Sequence, residues 1–141
     1  MEIFGRILLI CDNPLYSAGI RGQMLNLGVH SVFIESTPQA AAESLRQSSA
    51  DLVLIKEGMP RTDMALLVNE LKQIDPDCTV VILLESEDKE KVKELTDLGI
   101  YDFLSGPIDV NKLKPIMEKG IKLHILLAAN RKFSLGLKES N

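Results

Sequence analysis

Side chains able to do chemistry fall in this sequence just past the ends of apolar runs. Cys11 and Asp12 follow Arg6-Ile-Leu-Leu-Ile, Lys56 and Glu57 follow Asp51-Leu-Val-Leu-Ile, and Glu85 and Ser86 follow Thr79–Leu84. Carboxylates there could coordinate a hard divalent cation, and an ammonium there could pair with them instead. A thiol beside an ammonium can be drawn toward thiolate, or can simply pack. Lysine itself cannot form an acyl phosphate. No Ser/His/Asp or Cys/His constellation can be placed at shared run ends, so no enzymatic reaction is expected. G-x-G-x-x-G and Walker lysine motifs are absent.

Those runs must be held by something, and their spacing says what. Five short apolar segments, Arg6–Cys11, Ser31–Ile34, Asp51–Ile55, Thr79–Leu84 and Tyr101–Leu104, recur at about two dozen residues, the pace of βα units. The first, third and fourth are continuously apolar, as strands covered on both faces must be. Helical patterns fill the gaps. Asn13-Pro14 and Thr37-Pro38 each supply an N-cap and a proline at the first helical position, and Gly28 and Gly99 stand where helices should stop. Asp63 reads as a further N-cap. Leu66, Leu67, Leu71 and Ile74 make the third helix's apolar stripe, and Val92, Leu95 and Leu98 face inward on a heavily charged fourth helix. The fold expected is α/β: a doubly wound, five-stranded parallel sheet. In such sheets chemistry sits at the C-terminal strand ends.

The last segment is unusual. Leu113, Ile116, Met117, Ile121, His124 and Ile125 keep helical spacing, and Leu126–Ala129 carry apolar character around the helix. A helix from about Val110 to Arg131 would span roughly 33 Å, whereas five-residue strands cover roughly 17 Å. Pro115 is expected to kink or delay its first turn. Residues 1–125 are therefore read as one domain and 126–141 as a helical extension or linker. Its end either frays, pairs with another chain or leads into a further domain.

Bulk properties bound the rest. A chain of 141 residues with 45% hydrophobic and 26% charged residues is long enough for its own core. A net charge of −4 argues against a nucleic-acid surface. No membrane-spanning run or signal pattern is present, so a cytoplasmic location is expected. Cys11 and Cys78 lie at opposite ends of different strands and should remain thiols. His30 and His124 are too far apart for a dyad and read as structural or surface residues.

Taken together, the motifs resemble the receiver domain of two-component response regulators over about residues 5–125. Arg6-Ile-Leu-Leu-Ile-Cys11-Asp12-Asn13-Pro14-Leu15 resembles that family's first strand and acidic pair. Met59-Pro60 followed by Asp63 resembles the loop after its phosphoacceptor strand. Gly99-Ile-Tyr-Asp102-Phe103-Leu-Ser-Gly106-Pro107 resembles its fifth strand, aromatic switch position and Lys-Pro turn. The resemblance implies a flavodoxin-like strand order of 2-1-3-4-5 and phosphoryl transfer to an aspartate with Mg²⁺. It also implies a cis bond at Gly106-Pro107.

Residue by residue, the family's working positions are altered. Cys11 stands for the first acid, and Asp12 keeps the second as the one retained candidate metal ligand. Lys56 stands for the phosphoacceptor, Glu85 for the switch hydroxyl (Ser86 beside it), and Gly106 for the clamp lysine. Phe103 keeps the aromatic switch. An ammonium at Lys56 would compete with Mg²⁺ for Asp12, so a Lys56–Asp12 or Lys56–Glu85 ion pair is expected in place of the metal. Glu57, one residue later, points to the other face of the strand and is a weak rival ligand. The expected function is a pseudo-receiver, a phosphorylation-independent interaction module in phosphorelay signalling, with Mg²⁺ lost. Signalling proteins or a downstream domain would bind through the fourth helix, fifth strand and fifth helix, around Val92, Leu95 and Phe103 with Lys89, Lys91, Lys93 and Glu94. A homodimer is a further option. Two alternatives stay open: phosphorylation on a non-standard residue, and small-ligand binding of the flavodoxin kind. Against the latter, Cys11-Asp12-Asn13-Pro14 sets a carboxylate and a proline where a phosphate loop is needed.

Overall fold

Five βα units run in order along the chain: β1 (Arg6–Ile10), α1 (Pro14–Asn26), β2 (Ser31–Glu35), α2 (Pro38–Gln47), β3 (Leu52–Lys56), α3 (Met64–Ile74), β4 (Val80–Leu84), α4 (Lys89–Thr96), β5 (Asp102–Ser105) and α5 (Val110–Ser140). The computed structural model describes residues 5–140; residues 1–4 and 141, at the outer ends of the two expected segments, lie outside the described residues. All strands are parallel, in the order β2-β1-β3-β4-β5. This is the doubly wound flavodoxin-like sheet.

Strand alternation splits the core in two. Ile7, Leu9, Leu52, Leu54, Val81 and Leu83 face α1 and α5, where they meet Ile20, Met24, Leu113, Met117 and Ile121. Leu8, Ile10, Val53, Ile55, Val80 and Ile82 face the other helices and meet Ala41, Leu45, Leu67, Leu71 and Leu95. The central strand β3 is wholly buried from Leu52 to Ile55. Each such side chain contributes about 1.5–3 kcal/mol, which fixes the register that aligns the strand ends.

Local chemistry ends the helices where the sequence says. Asn13 Oδ1 accepts from the amides of Leu15 and Tyr16, Thr37 Oγ1 from Ala40, and Asp63 Oδ1 from Leu66. Gly28 and Gly99 take positive φ just past α1 and α4.

Several expectations need correction. Strand limits shift by a residue or so because pairing, not apolarity, defines them: Lys56 pairs with Leu83 and so belongs to β3. Leu66 is 67% exposed, and the buried stripe of α3 is Leu67, Val68 and Leu71. Leu95 is core rather than contact surface, since it packs with the α3-side cluster. Pro115 does not delay α5, because Asp109 caps the first turn through the amides of Asn111, Lys112 and Leu113. None of the described peptide bonds is cis. The chain makes the Gly106-Pro107 turn with Gly106 at φ 76°, a conformation that glycine reaches without strain. Finally, α5 runs to Ser140, beyond the helix end expected at about Arg131.

Candidate functional site

Register brings the chemistry together. Ile10 lies beside Ile55, and Lys56 beside Leu83, so the next residues of β1, β3 and β4 share one rim of the sheet. Cys11, Lys56 and Glu85 meet there, with Asp12 exposed beside them and Gly106 ending β5. Alternation aims Lys56 to the side of α1 and α5, and Glu57 to the side of α3 and α4.

Lys56 is largely buried, its side chain 14% exposed, and its Nζ lies 3.6 Å from Glu85 Oε1. The same Nζ stands 5.2 Å from the centre of the Tyr16 ring, within cation–π reach. Among the described residues Lys56 has its ion pair with Glu85, not with Asp12. Glu85 is 85% exposed, so this pair contributes no more than about 0–1 kcal/mol. Its value is positional: it holds a cation in the pocket. On the opposite side of β3, Glu57 pairs with Lys91 of α4, which raises the Lys91 pKa chiefly through that hydrogen bond. Glu57 is thereby committed to a neighbour and is not turned into the pocket.

Cys11 packs into the core on the α1 and α5 side. Its side chain is buried, and the Sγ donates to Asn13 O at 3.5 Å and accepts from Asn13 N at 3.4 Å. Burial raises its pKa, outweighing the lowering by the Asn13 hydrogen bond and by Lys56. Burial likewise pushes Cys78 up to about 12. Tyr16, which sequence reasoning missed, also has a raised pKa, from burial first and then from Cys11 and Glu85. It stays a neutral ring over the ammonium. Its position two residues after the Asn13-Pro14 helix start was the available signal.

Magnesium demands near-octahedral oxygen ligands. At this rim Cys11 offers a protonated thiol and Lys56 a cation, and of the carboxylates Asp12 and Glu85 the second is paired with Lys56; no group of three His, Cys, Asp or Glu among the described residues could hold a metal. The donor set does not fit the ion. Gly106 leaves open space where a side chain would reach, with nothing within 4 Å of a built Cβ.

A second polar cluster, at the opposite rim, was read from sequence only as isolated residues. His124 of α5 is 8% exposed; its Nδ1 lies 3.3 Å from Asp51 Oδ1 and its Nε2 2.9 Å from Asp75 Oδ2. Two turns on, Arg131 donates twice to Asp77, at 2.9 Å each. That bidentate bond holds the Asp77 carboxyl below its ordinary range and raises Arg131. Asp51, Asp75 and Asp77 all precede strands, and residues 124 and 131 share a helix face, so the signal was present in the spacing. The cluster latches α5 to the sheet.

Comparison with known proteins adds to the geometry. The family model described as response regulator receiver domain matches residues 7–118. The chain is 25% identical over 114 residues to the transcriptional regulatory protein ZraR of Escherichia coli (strain K12), covering 81% of this chain and 26% of that protein. It is 24% identical over 114 residues to the chemotaxis protein CheY of Bacillus subtilis (strain 168), covering 81% of this chain and 95% of CheY. It spans about a quarter of the length of the first curated relatives it matches. Among solved structures it is similar to the receiver domain of the sensor histidine kinase PA1611 from Pseudomonas aeruginosa PAO1, whose active-site cleft coordinates magnesium. The TM-score is 0.75 at 20% identity, covering 85% of this chain and 99% of that one. At that identity the likeness is one of fold.

Proposed function

The chain belongs to the response regulator receiver domain family of two-component signalling, and from that membership we propose that it is a pseudo-receiver, working by protein contact rather than by phosphorylation. The observation that carries this reading is Lys56 at the acceptor position, its ammonium 3.6 Å from Glu85 and inside the pocket. Phosphoryl transfer works by positioning and charge neutralisation around a metal-bound phosphoryl group. Here no carboxylate stands at the acceptor position, and an ammonium occupies the space that charge-neutralising metal would need. Cys11, Glu85 and Gly106 remove the other working groups of the site, leaving Asp12.

The pocket is also braced from within. Lys56–Glu85 joins β3 to the end of β4, and Glu57–Lys91 joins β3 to α4. The second of these pairs ties α4 to the end of β3. The contact face we assign is α4, β5 and α5, with Lys89, Lys93 and Glu94 exposed on α4 and Phe103 and Val92 half-buried beneath them. Partners are other signalling proteins, a downstream domain, or a second copy. A cytoplasmic location goes with this reading; no helix among the described residues is long and apolar enough to cross a membrane.

Incubation with Mg²⁺ and a small phosphodonor tests the proposal by intact mass. The expected spectrum is unchanged. Stoichiometric addition of one phosphate would overturn the reading and favour a non-standard acceptor.

A further inference from the structure

At the rim opposite Lys56, a cavity of about 280 Å³ opens between the last turn of α3, the chain entering β4 and β5, and α5. Its walls include Lys72, Thr79, Gly99, Tyr101, Leu123 and Leu127. Gly120 lets α5 lie close on the sheet beside it: a Cβ there would stand 2.8 Å from Leu52 Cδ1 and 3.4 Å from Thr79 Cγ2. Further along the helix, Leu123 and Leu127 roof the cavity.

Two polar groups of the wall are left with bonding capacity. The half-buried Lys72 donates from Nζ to Cys78 O at 3.3 Å, and no ion pair among the described residues involves it. The acids of the same segment are engaged elsewhere. Asp75 accepts from the Asp77 amide and faces His124 Nε2, and Asp77 holds both arms of Arg131. Burial pushes the Cys78 thiol up to about 12, so it adds no charge. Thr79 is 3% exposed, and its Oγ1 is buried with no hydrogen-bond partner. Buried hydroxyls ordinarily have one. A cation, a hydroxyl and otherwise apolar walls suit a ligand with one anionic end and an apolar body.

We propose that this cavity binds a small organic monocarboxylate. The carboxylate takes the remaining N–H groups of Lys72 and the Thr79 hydroxyl, turned about χ1 to meet it. The apolar body lies between Tyr101, Leu123 and Leu127. The volume is at the lower edge of the ~300–1,000 Å³ of ligand pockets, which limits the body to a ring or a short branched chain. Lys72 belongs to α3 and the two leucines to α5, so the bound acid would brace α5 beside the His124 and Arg131 contacts. The site is separate from the Lys56 pocket and does not depend on the pseudo-receiver reading.

Titration of the ¹⁵N-labelled chain with sodium benzoate tests it. Saturable shifts should centre on Thr79, Gly99 to Tyr101, Leu123 and Leu127, with a Kd on the order of 1 mM for so small an acid. Benzyl alcohol, which keeps the ring and lacks the charge, should bind roughly tenfold more weakly, and Lys72→Met should weaken benzoate by the same factor. Thr79→Val should cost roughly threefold. Leu127→Trp, at a partly exposed position of the roof, should fill the cavity and abolish binding. Shifts that never saturate, that centre on the Lys56 rim, or that keep their affinity in Lys72→Met would overturn the site. Should Lys72→Met fail to fold, undiminished binding by Leu127→Trp would overturn it alone. The phosphodonor test of the Lys56 pocket is independent of every one of these results.

Discussion

Replacing Cys11 and Lys56 together by aspartate should turn a chain indifferent to Mg²⁺ into one stabilised by it. The double variant rebuilds three acids at the rim, Asp12 included, with the cation gone. Without metal those carboxylates repel one another, and its melting temperature should fall below wild type. With Mg²⁺ at ten times its dissociation constant, mass action would restore about 1.4 kcal/mol, a rise of ~3–6 °C. Wild type should not respond. The single variant Cys11→Asp should respond little, because Lys56 still sits in the pocket. A wild-type response equal to that of the double variant would mean that the ammonium does not exclude the ion.

The second large effect lies at the other rim. His124→Ala should cost roughly 2–3 kcal/mol: it removes two hydrogen bonds to carboxylates, each about 1.5–3 kcal/mol before any discount. The discount is physical: Asp51 and Asp75 are 28% and 20% exposed, and Asp51 Oδ2 still accepts from the Arg6 amide at 2.8 Å. In urea the midpoint should drop by about 1–2 M. Hydrogen exchange should quicken from Ile121 onward while β1 and β3 keep their protection. His124→Gln, which preserves a donor, should recover part of the loss. A global loss of protection with no bias toward α5 would show that the cluster is ordinary core rather than a latch.

The fold was legible because each element carried its own local signal. β3 and β4 read as buried strands from continuous apolarity, and α1 and α2 from a cap followed by proline. Leu66 misled because it sits at helical spacing beside Leu67, and only the direction of the neighbouring strand decides which leucine turns inward. The end of α5 was invisible for another reason. The apolar residues that carried the helix reading stop at Ala129, so its end was placed at about Arg131, whereas α5 runs on to Ser140.

At the site, the altered positions were legible because sequence order maps directly onto strand ends in a parallel sheet. What closes around them was not. Tyr16 reaches Lys56 across from α1, and Lys91 reaches Glu57 from α4. Each partner lies on another element, at a distance that no linear spacing encodes. His124 was dismissed alone because its meaning lies in two aspartates, Asp51 and Asp75, that only the fold brings to it.

The account stands on one built-in cation, and a crystal grown in millimolar MnCl₂ examines it most directly. Manganese mimics the magnesium ion and scatters anomalously. The expected map shows the Lys56 ammonium in the pocket beside Glu85, with no anomalous peak at Asp12. A manganese ion ligated by Asp12, with Lys56 swung out into solvent, would contradict it.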